Sequence, residues 1–247
     1  MEYKEFQDGS RYEGELLNNK RNGKGIYYYL NNDKYLGDWI DDKFHGKGVY
    51  IFEKGDRYEG ELSDGMKNGQ GVYYYSNGNQ YNGQWKNDRK HGRGVYNYLL
   101  TNESYNGEWR NGLKDGRGIF TFSYQDYYDG QFEKGNKSGR GKIVFKSGAE
   151  FEGNWENDRA TGKCTMNYAN GDTFNGEYQN SKKNGRGTYL FASGTQYEGQ
   201  FREDKFYGDG KLLYKNGDRY DGSFKNGVKD GHGTYSYSNG DKYEGNW

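Results

Sequence analysis

The sequence predicts an all-β protein: an elongated, single-layer antiparallel meander of about ten stacked β-hairpins, twisted into an aromatic-lined trough. Three observations carry this reading. First, a pentad of aromatic, any residue, glycine, any residue and a bulky residue begins at Tyr12, Tyr35, Tyr58, Tyr81, Tyr105, Tyr128, Phe151, Phe174, Tyr197, Tyr220 and Tyr243. Successive starts lie 23 residues apart, except Tyr81 to Tyr105 at 24. A period in this range means units that pack on their chain neighbours. Second, each period holds two stretches in which large and polar residues alternate, the signature of half-buried strands. Third, the chain has 42 glycines and no proline, so Gly, Asn and Asp must shape every turn.

Residues 1–11 read as a capping strand. The array occupies 12–247, with ten full repeats and an eleventh cut at Trp247. In the unit that starts at Tyr81, Tyr-Asn-Gly-Gln-Trp-Lys is one strand and Asn87 to Gly92 a polar turn. Arg93 to Tyr98 is the second strand, and another turn leads to the next aromatic. Numbered from that first ring, positions 1, 5, 16 and 18 hold 37 of the 46 aromatic residues. Strand parity puts positions 1, 3 and 5 on one face, with 14, 16 and 18. The rings therefore share a face, and the glycines of positions 3 and 14 let them lie flat over the backbone. Position 12 is glycine in all ten full units and position 8 is Asn, Asp, Gly or Ser, so both are expected at positive φ. Two strands per unit give ~9.6 Å per repeat and a rod of roughly 100 Å.

Bulk composition bounds the function. Hydrophobic residues are only 30%, a value that suits disorder, but an aromatic content of 19% argues for a core built from rings. The single cysteine, Cys164, leaves no internal disulfide and fits a reducing compartment. Met1 to Asp8 is charged and is no signal peptide, and no apolar run approaches the ~20 residues of a spanning helix. A cytoplasmic location follows. The acceptor-like Asn102-Glu103-Ser104 and Asn136-Lys137-Ser138 are then chance matches.

No enzyme is expected. His45, His91 and His232 occupy ordinary repeat slots without ligand spacing, and Cys164 fills a glycine slot. The Gly-x-Gly pairs open strands, whereas a phosphate loop opens a helix. The carboxylates lie on the face away from the rings, with no cleft to pair them. No metal, cofactor or nucleic-acid partner is implied.

Charge is sorted although the net charge is zero. Positions 9–13, read as the hairpin turn, hold 20 of the 36 basic residues, giving a candidate basic edge of Lys20, Arg21, Arg89, Lys90, Lys182, Lys183 and Arg186. Two readings of it follow: a site for an acidic protein or anionic phosphoinositides, or a solvated turn that neutralises neighbouring carboxylates. Positions 15 and 17 face away from the trough and are apolar in the first half. Ile26, Tyr28, Val49, Ile51, Val72 and Tyr74 form a candidate partner-binding stripe, set against ordinary β-propensity on a solvent face. The terminal strand, Tyr243 to Trp247, is an edge able to pair with a second copy or with another subunit.

The pattern Tyr-x-Gly-x-Trp-x-Asn-Gly-x-x-x-Gly-x-Gly resembles the MORN repeat. Residues 105–118 are a close match, and the likeness covers residues 12 to 247. Cys164 for glycine, and the non-glycine turns at Asn32, Thr101 to Ser104 and Gln125, depart from the pattern without breaking the period. The resemblance implies a scaffold that holds protein subunits of a larger assembly. The segment from Tyr27 to Trp39 is similar to a repeat of radial spoke head proteins, which implies a place in the axoneme of a cilium or flagellum. A membrane-surface module is the alternative that the family implies.

Overall fold

The structure is a computed structural model that describes residues 2–247. It contains 22 strands, paired antiparallel within each of two units, and no helix among the described residues. The chain divides into two compact units, one ending at Ser123 and the other running from Tyr124 to Trp247. In the first unit the strand Glu2–Glu5 pairs with Arg11–Leu17, which pairs in turn with Lys20–Tyr28. Lys20–Tyr28 then pairs with Lys34–Ile40, and the alternation continues to Leu113–Thr121. The second unit repeats the scheme from Tyr127–Glu133 to Lys242–Asn246.

Two kinds of connection join the strands. Between Leu17 and Lys20 stand only Asn18 and Asn19, at φ of 51° and 64°. Positive φ at both central residues defines the tight turn whose twist matches a hairpin. Positions 7 and 8 are left-handed in every full repeat, from Asn18–Asn19 to Asn226–Gly227. The hairpin turn is thus these two residues. Positions 9–13, assigned to the turn above, are strand residues instead. The second connection is a five-residue loop, four residues only between Tyr98 and Glu103, and is closed by its own backbone where Tyr29 N donates to Asp33 O at 3.0 Å. Asn32, Asn102 and Gln125 hold positive φ there, as the glycines of the other repeats do.

A register shift explains the misreading of positions 9–13. Gly37 pairs with Gly48, yet Asp38 pairs with His45, so Gly46 and Lys47 are two extra residues on one strand. Gly46 takes φ of 57°, and position 12 is left-handed in all ten repeats, from Gly23 to Gly231. Because the insertion is even, parity survives it. Position 10 therefore lies opposite position 5, on the ring face.

The ring face is the core of each unit. Position 1 rings are buried in all ten full repeats, and each except Phe151, whose repeat has Cys164 at position 14, lies flat over the glycine pair at positions 3 and 14. A Cβ at Gly94 would sit 2.4 Å from the Tyr81 hydroxyl, which itself donates to Gln84 O at 2.9 Å. Position 5 rings stand edge-on between successive position 1 rings. Trp109 meets Tyr81 at 5.3 Å and Tyr105 at 5.1 Å, and its indole N–H donates to Gly94 O at 3.0 Å. A second ladder of rings runs beside the first along positions 16 and 18. In the first unit it passes from Tyr27 through Tyr29, Tyr50, Phe52, Tyr73, Tyr75, Tyr96 and Tyr98 to Phe120 and Phe122. Such edge and tilted contacts add about 0.5–1.5 kcal/mol per pair beyond area burial. Cys164 is buried opposite Gly153, in the repeat whose first ring is Phe151.

Candidate interaction surfaces

The ring face is closed by the repeat's own cations. Position 10 carries Arg21, Lys67, Lys90, Lys114, Lys137, Lys183 and Lys229, and each lies over rings. Lys90 Nζ is 4.4 Å from the Trp109 ring centre, 4.5 Å from Tyr96 and 5.6 Å from Tyr81. A desolvated ammonium over rings is attracted by their negative faces. Burial, with Lys114 nearby, lowers the Lys90 pKa to about 8. Arg21, Lys90 and Lys183, expected on an exposed basic edge, instead lie half-buried over the core rings. The even bulge puts them there.

Two ladders of carboxylates tie repeat to repeat, one of them at position 8, which the sequence marks only as a turn. At position 8, Asp42 Oδ1 accepts from Arg21 N at 2.9 Å, while Asp42 N donates to Arg21 O at 3.1 Å. Asp88, Asp158 and Asp204 grip Lys67, Lys137 and Lys183 in the same way. At position 22, Asp172 accepts the Tyr189 hydroxyl at 2.6 Å and the Ala192 amide at 2.8 Å. These two donors hold the Asp172 carboxyl below the ordinary carboxylate range. Asp33, Asp56 and Asp218 repeat the arrangement on Tyr50, Tyr73 and Tyr235. The 21-residue spacing in one ladder and the 17- and 20-residue spacings in the other are the detectable signal.

The remaining basic candidates divide. Lys20 pairs with Asp41 at 3.4 Å and Lys182 with Glu203, each partner lying in the next repeat's turn. Arg89 and Arg186 are exposed and form no ion pair among the described residues.

The outward face of the first unit carries the apolar stripe where parity placed it. Ile26 pairs with Glu13 and Leu36, and Val49 with Leu36 and Glu59, so one transverse row reads Glu13, Ile26, Leu36, Val49, Glu59, Val72. Leu36, Val49 and Val72 line a shallow concavity. The next row is Arg11, Tyr28, Lys34, Ile51, Arg57, Tyr74. Ile51 and Tyr74 are exposed at 39% and 37%, and the other four stripe residues are half-buried. The Arg11 guanidinium lies 4.3 Å and the Lys34 ammonium 4.9 Å from the Tyr28 ring centre. Neither cation has a carboxylate partner among the described residues, whereas Arg57 is paired with Glu59. Leu99 and Leu100, in the four-residue connection of the 24-residue repeat, are exposed as well. No group of three or more His, Cys, Asp or Glu able to hold a metal occurs among the described residues.

These features define a β-hairpin repeat protein whose inner face is spent on its own packing and whose outer face and edges vary. The MORN repeat model matches residues 12–34, 35–57, 58–80, 81–98, 105–123, 128–150, 151–173, 174–196, 197–219 and 220–242. The chain belongs to the MORN-repeat family. No curated protein matches it by sequence. Among solved structures it is similar to the TCP10 domain of Danio rerio CPAP bound to a peptide of Danio rerio STIL, at 12% identity over 86% of this chain and 99% of that one, TM-score 0.48. The same domain alone gives 12% identity over 100% of both chains, TM-score 0.42. The TCP10c domain of Drosophila melanogaster Sas-4 gives 16% identity over 81% of this chain and 91% of that one, TM-score 0.26.

Proposed function

We propose that this chain is a non-enzymatic scaffold of the ciliary axoneme, a component of the radial spoke head that holds neighbouring protein subunits on its outward face. The observation that carries the scaffold reading is the division of labour between the faces. Rings, position 10 cations and turn carboxylates are consumed in joining each repeat to the next, as at Lys90 and Asp172. The outward face of the first unit, by contrast, keeps apolar side chains together with Arg11 and Lys34, neither held by a carboxylate among the described residues. Exposed apolar rows rimmed by charge mark protein-binding surfaces. The spoke-head assignment is supported by the likeness of the Tyr27 to Trp39 segment to a spoke-head repeat, and the cytoplasmic and ciliary location goes with it.

The alternative, a basic edge that binds phosphoinositides, has less support. Five of its seven cations are stacked on rings or paired with the next turn, which leaves Arg89 and Arg186. The test is to express the tagged chain in a ciliated cell and follow it through axoneme fractionation. Recovery with the spoke fraction after detergent is the expected outcome. Release with detergent, together with flotation on anionic vesicles that Arg89→Glu and Arg186→Glu abolish, would instead establish the membrane reading.

A further inference from the structure

We propose that the outward face of the first unit docks an acidic segment in polyproline II conformation, running across the strands with an aliphatic side chain at every third residue. This rests on the scaffold reading and names the partner's chemistry. The argument begins with spacing. Position 15 supplies one β-branched side chain per repeat, at Ile26, Val49 and Val72, all in one transverse row. Two strands separate each from the next, so these anchors recur every ~9.6 Å. An extended β-strand laid along the row repeats its side chains every ~6.8 Å and falls out of register by ~3 Å at the first step. An α-helix gains ~10.5 Å over seven residues and drifts by ~0.9 Å per repeat. A polyproline II helix advances ~9.3 Å over three residues and drifts by only ~0.3 Å. It also leaves its backbone carbonyls and amides unpaired, as suits a partner that meets the face of a sheet rather than its edge.

Charge selects the rest of the partner. Beside the anchors, Arg11 and Lys34 sandwich the Tyr28 ring, and neither has an ion-pair partner among the described residues. On the same face Lys24 is matched with Asp38 and Arg57 with Glu59. Two unmatched cations astride an aromatic ring fit carboxylates that flank an apolar or prolyl side chain. Each triplet of the partner then offers one side chain to an anchor and one acid to a cation.

The test uses the full chain and three synthetic peptides in titration calorimetry. One carries four tandem Asp-Pro-Leu triplets, one four Lys-Pro-Leu triplets, and one has the composition of the first with the leucines irregularly spaced. The acidic in-register peptide is expected to bind at least about tenfold more tightly than the other two. In a double variant, Arg11→Glu with Lys34→Glu, that preference should invert toward the lysine peptide. A thermal melt confirms that the variant is folded, and Tyr28→Ser serves as a second, uncharged disruption of the same clasp. Equal binding of all three peptides, no binding of any, or a preference that survives the double variant overturns the proposal. Recovery of the chain with spoke fractions, read separately, would leave the scaffold reading standing in that event.

Discussion

At the scale of single residues, two glycines that look alike in sequence differ in what they do. Gly94 lies beneath the Tyr81 ring, and that ring cannot swing aside because its hydroxyl is held by Gln84 O. Gly94→Ala is expected to cost about 3 kcal/mol, the upper range for forcing a methyl into a packed core. Gly112 has nothing within 4 Å of an added Cβ, but its φ is +90°. Gly112→Ala is expected to cost about 1 kcal/mol, from backbone strain alone. Urea unfolding of both variants measures the difference, and equal losses would remove the flat-ring account of the Gly-x-Gly pairs. The first role was legible in the sequence because the pentad recurs eleven times within one chain and fixes ring and glycine on one face.

At the scale of the repeat, alternation revealed the strands but not the bulge between them. An even insertion leaves the pattern on both sides in phase, so positions 9–13 look like a polar turn. The consequence was a basic edge drawn through Arg21, Lys90 and Lys183, which the register instead carries over the rings. The left-handed positions 8 and 12 were legible, since their residue types have few other uses. The carboxylate ladders were not, because Asp in a turn is expected on local grounds and its acceptor role depends on the next repeat. The apolar stripe survived because positions 15 and 17 lie beyond the bulge and follow simple parity. The ladder gives a sharp expectation. Asp172→Ala removes the acceptor for both the Tyr189 hydroxyl and the Ala192 amide. A loss of about 1–2 kcal/mol is expected, since hydrogen bonds to a charged group are lost at a half-buried site. Asp172→Asn, which keeps one acceptor oxygen, should recover part of it. Faster amide exchange at Ala192 in the alanine variant would locate the break, and unchanged exchange there would deny the ladder its role.

Across the whole chain the same three kinds of group titrate in different windows, so their linkage sets how stability varies with pH. Asp172 and Asp218 have lowered folded pKa values, the first through the Tyr189 hydroxyl, the second through the Ser238 amide. Their stabilisation is present above the ordinary carboxylate range and is lost as pH falls through the folded values. The buried tyrosines shift upward, with Tyr75 and Tyr197 raised to about 12, chiefly by burial. The unfolded chain ionises these phenols first, so stability falls as pH rises past about 10. Lys90 works in the opposite sense. Its folded pKa of about 8 lies below the ordinary 10.5, so between those values the unfolded chain binds the extra proton. Stability must then rise over that interval as the cost of burying the ammonium disappears. The expected profile climbs on leaving acid, rises again between about pH 8 and pH 10, and collapses above it. Urea midpoints at pH 4, 7, 9 and 11 would trace it. Lys90→Met, which fills the same ring cage without a charge, should flatten the alkaline rise and leave both flanks in place. A rise that persists in Lys90→Met would show that the cage lysine is not its source.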